Sequence, residues 1–269
     1  MIKRGFVDID EGQIHYRYIG DRKKSPTLIM LHPGPTSSHS LIPLINELGN
    51  DFWVIAPDLM GMGDSVRPGV DKPDIEYFAD SIFRFADQLE IEMFFLWGSM
   101  TGAHCGIEMS LQRPKRIRKF YIEFLQIYDE KVQKLLESGH APEIKFDYHG
   151  SQLNFLWHLA RDQHLFFPWF LKDKEFARPN GLPSPKQLHE KTVELLKAAE
   201  TYHFSLNAAL EYETEKKIKS LTVPIVIPHS LEKYTNKFST HQSFCVSPST
   251  ATKEQVLKAA DQIKKHLKF

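Results

Sequence analysis

The stretch Phe94 to Gly106, F-F-L-W-G-S-M-T-G-A-H-C-G, constrains the fold more than any other part of the chain. An apolar run of strand length ends in closely spaced small residues, and the segment beyond them can start a helix. Gly98 and Gly102 let the backbone turn sharply from strand to helix while the side chain between them is pushed out over the sheet. That central residue is Met100. A thioether has no proton to lose and is a poor nucleophile, so the position that such a turn presents for chemistry carries no reactive group.

The rest of the chain repeats the strand-then-helix grammar. Val7 to Gly20 shows two alternating runs broken at Glu11-Gly12, which predicts a hairpin. Buried parallel strands are expected at Thr27–Leu31, Phe52–Ala56, Met93–Trp97, Phe120–Leu125, Pro224–Ile227 and Ser243–Val246. Between them Leu41–Leu48, Ile75–Leu89, Thr101–Gln112 and Lys253–Lys268 have helical spacing. Such alternation predicts an α/β fold with a mostly parallel twisted sheet flanked by helices, whose ligands bind at the carboxyl ends of the strands. The pattern lapses from about 126 to 217, where no buried strand is legible. An insertion there must lie over the strand ends, so the expected division is a core of 1–125 and 218–269 and a helical cap of 126–217, with a loop at Pro179–Pro185.

Composition narrows the function. Lys plus Arg and Asp plus Glu both total 34, so the formal charge is zero and no footprint for nucleic acid is expected. No apolar run approaches the roughly 18 residues of a membrane span, and the first residues lack the apolar core of a signal peptide. Cys105 and Cys245 are too few for a disulfide framework and sit among apolar neighbours, which fits a reducing cytoplasm. The Gly-rich loop Pro57–Ser65 matches neither phosphate-binding fingerprint, and there is no H-E-x-x-H, so neither cofactor nor metal is expected. The expected partner is a small-molecule ligand or substrate.

Three motifs together resemble the α/β-hydrolase superfamily over nearly the whole chain: L-H-P-G-P-T-S-S from Leu31, A-P-D-L-M-G-M-G-D-S from Ala56, and G-S-M-T-G from Gly98. The last looks like the family's nucleophile elbow in a branch with a non-serine centre. The resemblance implies an α/β-hydrolase fold with an inserted helical cap, and an oxyanion hole at the backbone N–H groups of Gly34 and Thr101. It also implies an acid after the strand Pro224–Ile227, where Glu232 is the nearest carboxylate, and a histidine after the last strand, where Ser247–Thr252 has none. His241 precedes that strand. Some members carry the acid one strand earlier, which would point to Glu123 or Asp129; His32 resembles a loop histidine of largely structural role.

With the triad degenerate, the candidate reacting groups are sought elsewhere. In Leu153–Leu165, His158 and Arg161 share a helical face with Asn154, and Trp157 is spaced to stack on Arg161. His158, Arg161, His39 and Ser99 are the candidate catalytic residues; Trp157, Asp162 and Tyr202 are the candidate substrate-binding ones. His158, Asp162 and His164 do not converge on one side of a helix as metal ligands would. Ser99 as the nucleophile would put bulky Trp97 at a position that wants a small residue, and it has no histidine base. The leading expectation is an enzyme of altered mechanism (lyase, cyclase or acid-base chemistry) acting on a small carbonyl compound. The alternatives are a non-catalytic binding protein and a hydrolase using Ser99.

Overall fold

A computed structural model describes residues 1–179, 181–232, 242–245 and 252–267. The opening hairpin forms as β1 (Lys3–Ile9) and β2 (Gly12–Ile19), with Lys3 opposite Tyr18 and Ile9 opposite Gly12. Then come β3 (Thr27–Leu31), α1 (Ile42–Leu48), β4 (Trp53–Pro57), α2 (Ile75–Gln88), β5 (Phe94–Ser99), α3 (Thr101–Gln112) and β6 (Ile117–Phe124). Among the described residues five α-helices separate β6 from the next strand: α4 (Glu130–Glu137), α5 (Ser151–Leu165), α6 (Pro185–Lys197), α7 (Tyr202–Glu211) and α8 (Thr214–Ile218). The chain then returns to the sheet with β7 (Ile225–Pro228) and β8 (Gln242–Cys245) and ends its described part in α9 (Lys253–Leu267). His241, Val246, residues 247–251, Lys268 and Asn180 of the expected loop lie outside the described residues.

The strands form one sheet in the order β1-β2-β4-β3-β5-β6-β7-β8. The β1-β2 and β2-β4 pairs are antiparallel; the rest are parallel. Both faces of the parallel part are covered, which explains why its strands read as continuous apolar runs. Leu28, Met30, Val54, Ala56, Phe95 and Trp97 join one apolar cluster with residues of α1 and α9. Their neighbours Ile29, Leu31, Ile55, Phe94 and Leu96 join the other, with α2 and α3. Period-two alternation within a uniformly apolar strand thus decides which helical layer each side chain meets.

Helix ends obey local chemistry. Asp74 accepts from the Tyr77 N–H to start α2, whose Phe78, Ile82 and Phe85 are buried. Ser184 and Gln187 make a reciprocal capping box at α6, with Pro185 at its first position. Several bounds shift by one or two residues from expectation, and two differences have a visible cause or partner. A 3-10 turn, Ser38–Leu41, precedes α1 because Ser37 caps it by accepting from His39 N–H. β6 starts earlier, at Ile117, which pairs with Phe94 although Arg118 beside it is exposed. None of the described helices is long and apolar enough to cross a membrane.

Candidate functional site

Between β5 and α3 the backbone turns at Met100 with φ 49° and ψ −117°, a conformation that L side chains rarely adopt. The turn is held by the Met100 N–H, which donates to the Phe124 carbonyl at 2.8 Å. It also needs the two glycines. A Cβ on Gly98 would lie 2.6 Å from the Gly102 carbonyl oxygen, and one on Gly102 would overlap the backbone of Leu31. Met100 is 39% exposed, whereas Ser99 is 6% exposed and its hydroxyl donates to the Glu123 carboxylate at 2.6 Å. The register of the turn therefore presents residue 100 and turns residue 99 inward. Burial raises the pKa of Glu123, and the Ser99 hydroxyl partly opposes that.

Met100 forms the floor of a cleft at the carboxyl ends of β3, β5 and β6, the place where a parallel sheet binds ligands. Two cavities of about 490 and 320 Å³ meet there, sharing Met100, Phe124, Gln126, Tyr128, His140 and Leu206. The larger lobe includes Thr101, His104 and Tyr212; the smaller includes Gly34, His164, Phe167, Arg178 and Lys191. Gly34 packs against Thr101, since a Cβ there would lie 2.8 Å from the Thr101 hydroxyl. Among the described residues neither the Gly34 nor the Thr101 N–H has an acceptor within the chain. Thr101 opens α3, where the first N–H groups of a helix are left without partners.

His104 lies one helical turn beyond Met100, on the same face. Its Nδ1–H donates to the Met100 carbonyl at 2.9 Å, its ring meets Tyr212 edge-on at 5.8 Å, and it is 8% exposed. Burial pushes its pKa down to about 4, opposed by that hydrogen bond, so the ring is neutral at pH 7. With the Nδ1 proton so engaged, Nε2 carries a lone pair. His140, lowered to about 4 by burial and by Arg178, is likewise neutral and lines both lobes. Tyr128, pushed up to about 12 by burial, stacks on Phe167 at 6.0 Å.

The residues expected to carry chemistry from α5 are placed differently. His158 and Trp157 are exposed and line neither lobe. Arg161 lines neither lobe, and its Nε donates to Asp162 at 2.7 Å. Asp162, 1% exposed, also holds Lys172 at 2.7 Å, so it is a buried carboxylate between two cations and not a ligand-facing group. Burial opposes its ionisation, but the bonds from Arg161 and Lys172 lower its pKa on balance. Burying Asp162 with Leu156, Leu159 and Ala160 sets the rotation of α5 and turns Asn154 and His158 to solvent. Leu159, Gln163 and His164 face the cleft instead. Tyr202 is fully buried, and its hydroxyl donates to the Pro142 carbonyl. His39, in the 3-10 turn, lines neither lobe.

His32 is buried with both ring nitrogens engaged, donating to Pro33 O at 3.0 Å and accepting from Leu59 N–H at 2.9 Å. Glu232 is exposed, 3.6 Å from His229. Asp129 caps α4 by accepting from Val132 N–H. A separate cluster of His15, Asp58 and Asp64 has a metal-like grouping, but its cations are already present. Arg4 donates to His15 Nε2 at 2.8 Å, His15 Nδ1–H donates to Asp58, and Lys197 lies 2.8 Å from Asp64. Burial opposes ionisation of Asp58, yet the bonds from His15, Ser38 N–H and Asp64 N–H keep it well below the usual carboxylate range. The network ties β2 to the loop after β4 and is structural.

Residues 26–123 match the family model described as the alpha/beta hydrolase fold. An uncharacterised hydrolase of Saccharomyces cerevisiae is 32% identical over 125 residues, which are 46% of this chain and 43% of that protein. A haloalkane dehalogenase of Mesorhizobium japonicum is 32% identical over 135 residues, 47% of this chain and 40% of that protein. The matched part thus spans less than half the length of these relatives. Over the whole chain, a hydrolase from Pseudomonas aeruginosa superposes with a TM-score of 0.71 at 16% identity, covering 99% of each chain. An epoxide hydrolase from Vigna radiata gives 0.67 at 15%, covering 99% of this chain and 98% of its own. At that identity the likeness is one of fold.

Proposed function

We propose that this chain, which has the α/β-hydrolase fold, binds a small carbonyl-containing compound between its core, 1–125 with 218–269, and a helical cap, 126–217, and moves protons on it without a covalent serine intermediate. The observation that carries the reading is the grouping of two N–H donors without acceptors, Gly34 and Thr101, and the neutral imidazole of His104 around Met100. Backbone donors of this kind stabilise charge developing on a carbonyl oxygen whatever side chain sits at the turn. His104 replaces His158 and Arg161 as the proton-handling group. Its Nε2 lone pair accepts the proton, and negative charge growing on the substrate beside it raises its affinity for that proton. An acid-base, lyase or cyclase step fits this set; ester hydrolysis through Ser99 does not, because its hydroxyl is bonded to Glu123 and lines neither lobe.

A second reading, binding without turnover, is favoured by Met100 itself, an exposed thioether where a nucleophile would stand. Proton NMR in deuterium oxide separates the two. The wild-type chain should wash out the α-protons of small keto compounds faster than buffer, and His104→Asn should lose that exchange while still binding them. Compounds that bind without exchange in the wild type would leave the binder. Labelling of Ser99 by a fluorophosphonate probe would overturn both.

A further inference from the structure

The smaller lobe has an electrostatic character that the carbonyl site does not require. Arg178 and Lys191 both line it, together with His140 and His164, and no carboxylate does among the described residues. The nearby acids are engaged elsewhere: Glu194, three residues along α6 from Lys191, accepts from the Ser37 hydroxyl, and Asp162 holds Arg161 and Lys172. Arg178 has its guanidinium over the Phe167 ring at 5.1 Å, which fixes the cation at the lobe wall without neutralising it. His140 Nδ1 and His164 Nε2 are buried without a hydrogen-bond partner. Arg178 is exposed and keeps its hydration, but Lys191 is half-buried with no carboxylate partner among the described residues, and an anion in the lobe offsets that cost and can accept from an unsatisfied imidazole N–H.

We infer that the smaller lobe is an anion subsite, taking the carboxylate or phosphate head group of a ligand whose apolar body lies on Phe166, Phe167, Trp169 and Leu206. The inference rests on the reading of the cleft as a small-molecule site and adds the charge of the ligand to it. Lys191, half-buried, supplies a point charge, and Arg178 a planar fork that matches either oxyanion. The repulsion shows in the groups themselves. Burial and Arg178 push Lys191 down to about 8, and burial, Lys191 and Arg178 lower His164. Gly34 lines the same lobe, so a ligand anchored at Lys191 can place a carbonyl at the Gly34 and Thr101 donors without leaving the cleft.

Titrations of the full chain with phenylacetate, phenyl phosphate and neutral phenylacetamide, monitored by the fluorescence of Trp169 and its neighbours, test the assignment. At least one anion should bind ten times more tightly than the amide or better, and the preferred anion separates carboxylate from phosphate. Lys191→Met and Arg178→Gln should each remove most of the preference for the anion over the amide. Lys191→Met should also raise the Tm of the ligand-free protein, because it deletes an uncompensated cation; a lysine with a structural partner would lower it. Equal binding of all three probes, or a preference that survives both substitutions, overturns the subsite while leaving the cleft. Failure of all three to bind overturns the cleft reading with it. Anion binding without proton exchange keeps the subsite and removes the catalytic reading.

Discussion

Replacing His104 by Asn tests the state of the imidazole at the centre of the cleft. Asn keeps a donor where Nδ1–H meets the Met100 carbonyl and removes the titrating ring. The ordinary pKa of 6.5 applies in the unfolded chain, and about 4 in the folded one. Between those values the unfolded chain binds more protons, so stability is at full strength above pH 6.5 and is lost as the pH falls towards 4. At pH 4.5 the unfolded chain holds nearly one proton at this position and the folded chain roughly a quarter of one; integrated from pH 7, the loss is about 2.5 kcal/mol. Urea unfolding of wild type and His104→Asn at pH 7 and pH 4.5 reads it directly. Any packing cost of the substitution is the same at both pH values and cancels. The wild type should lose about 2.5 kcal/mol more than the variant between the two conditions. Equal losses would mean that His104 protonates in place, and the argument for a neutral ring with a lone pair at Nε2 would fall.

The strained turn gives two further expectations. At most positions Ala is more stabilising than Gly, but at residue 100 Met100→Gly should be about 1–2 kcal/mol more stable than Met100→Ala in chemical denaturation, because only Gly relieves the positive φ. Gly102→Ala should cost more than about 3 kcal/mol by the same measure, since its methyl would overlap the Leu31 backbone, which has no rotamer to yield.

Strands and helices of the core are legible in the sequence because burial on both faces makes each parallel strand a short apolar run and each flanking helix a clean 3-4 stripe. The bounds of Thr101–Gln112 agree to the residue, helped by glycines that define the turn before it. The site is less legible. The sequence points to the polar residues of α5, but the rotation of that helix is set by burial of Asp162, whose partner Lys172 lies outside the helix and is invisible to a helical wheel. Nor does any local pattern bring Arg178, Lys191 and His164 to one wall: Lys191 and His164 meet through the packing of α6 against α5, and Arg178 is held beside them by its N–H donating to the Leu165 carbonyl. The candidates drawn from the sequence omit His104 as well, although its signal is local: four residues beyond Met100 in a readable helix, it shares the face of the turn.

The return of the chain to the sheet carries a consequence for how the molecule forms. β7 docks on β6 by pairing Phe120 with Ile225, more than one hundred residues apart in sequence. Closing so long a loop costs about 4 kcal/mol of chain entropy before the pairing returns anything. β1 to β6 pair across shorter separations, the longest being Leu28 with Phe95, which lowers the closure cost by only about 0.4 kcal/mol, and that part of the sheet holds Met100, Thr101 and Gly34. The walls of the cleft supplied by α5, α6 and α7 arise within the long loop itself. The turn that presents Met100 therefore belongs to the shorter-range part of the sheet, and the pocket above it is complete only when the longest-range strand pairing among the described residues, β6 with β7, closes the loop that carries its walls.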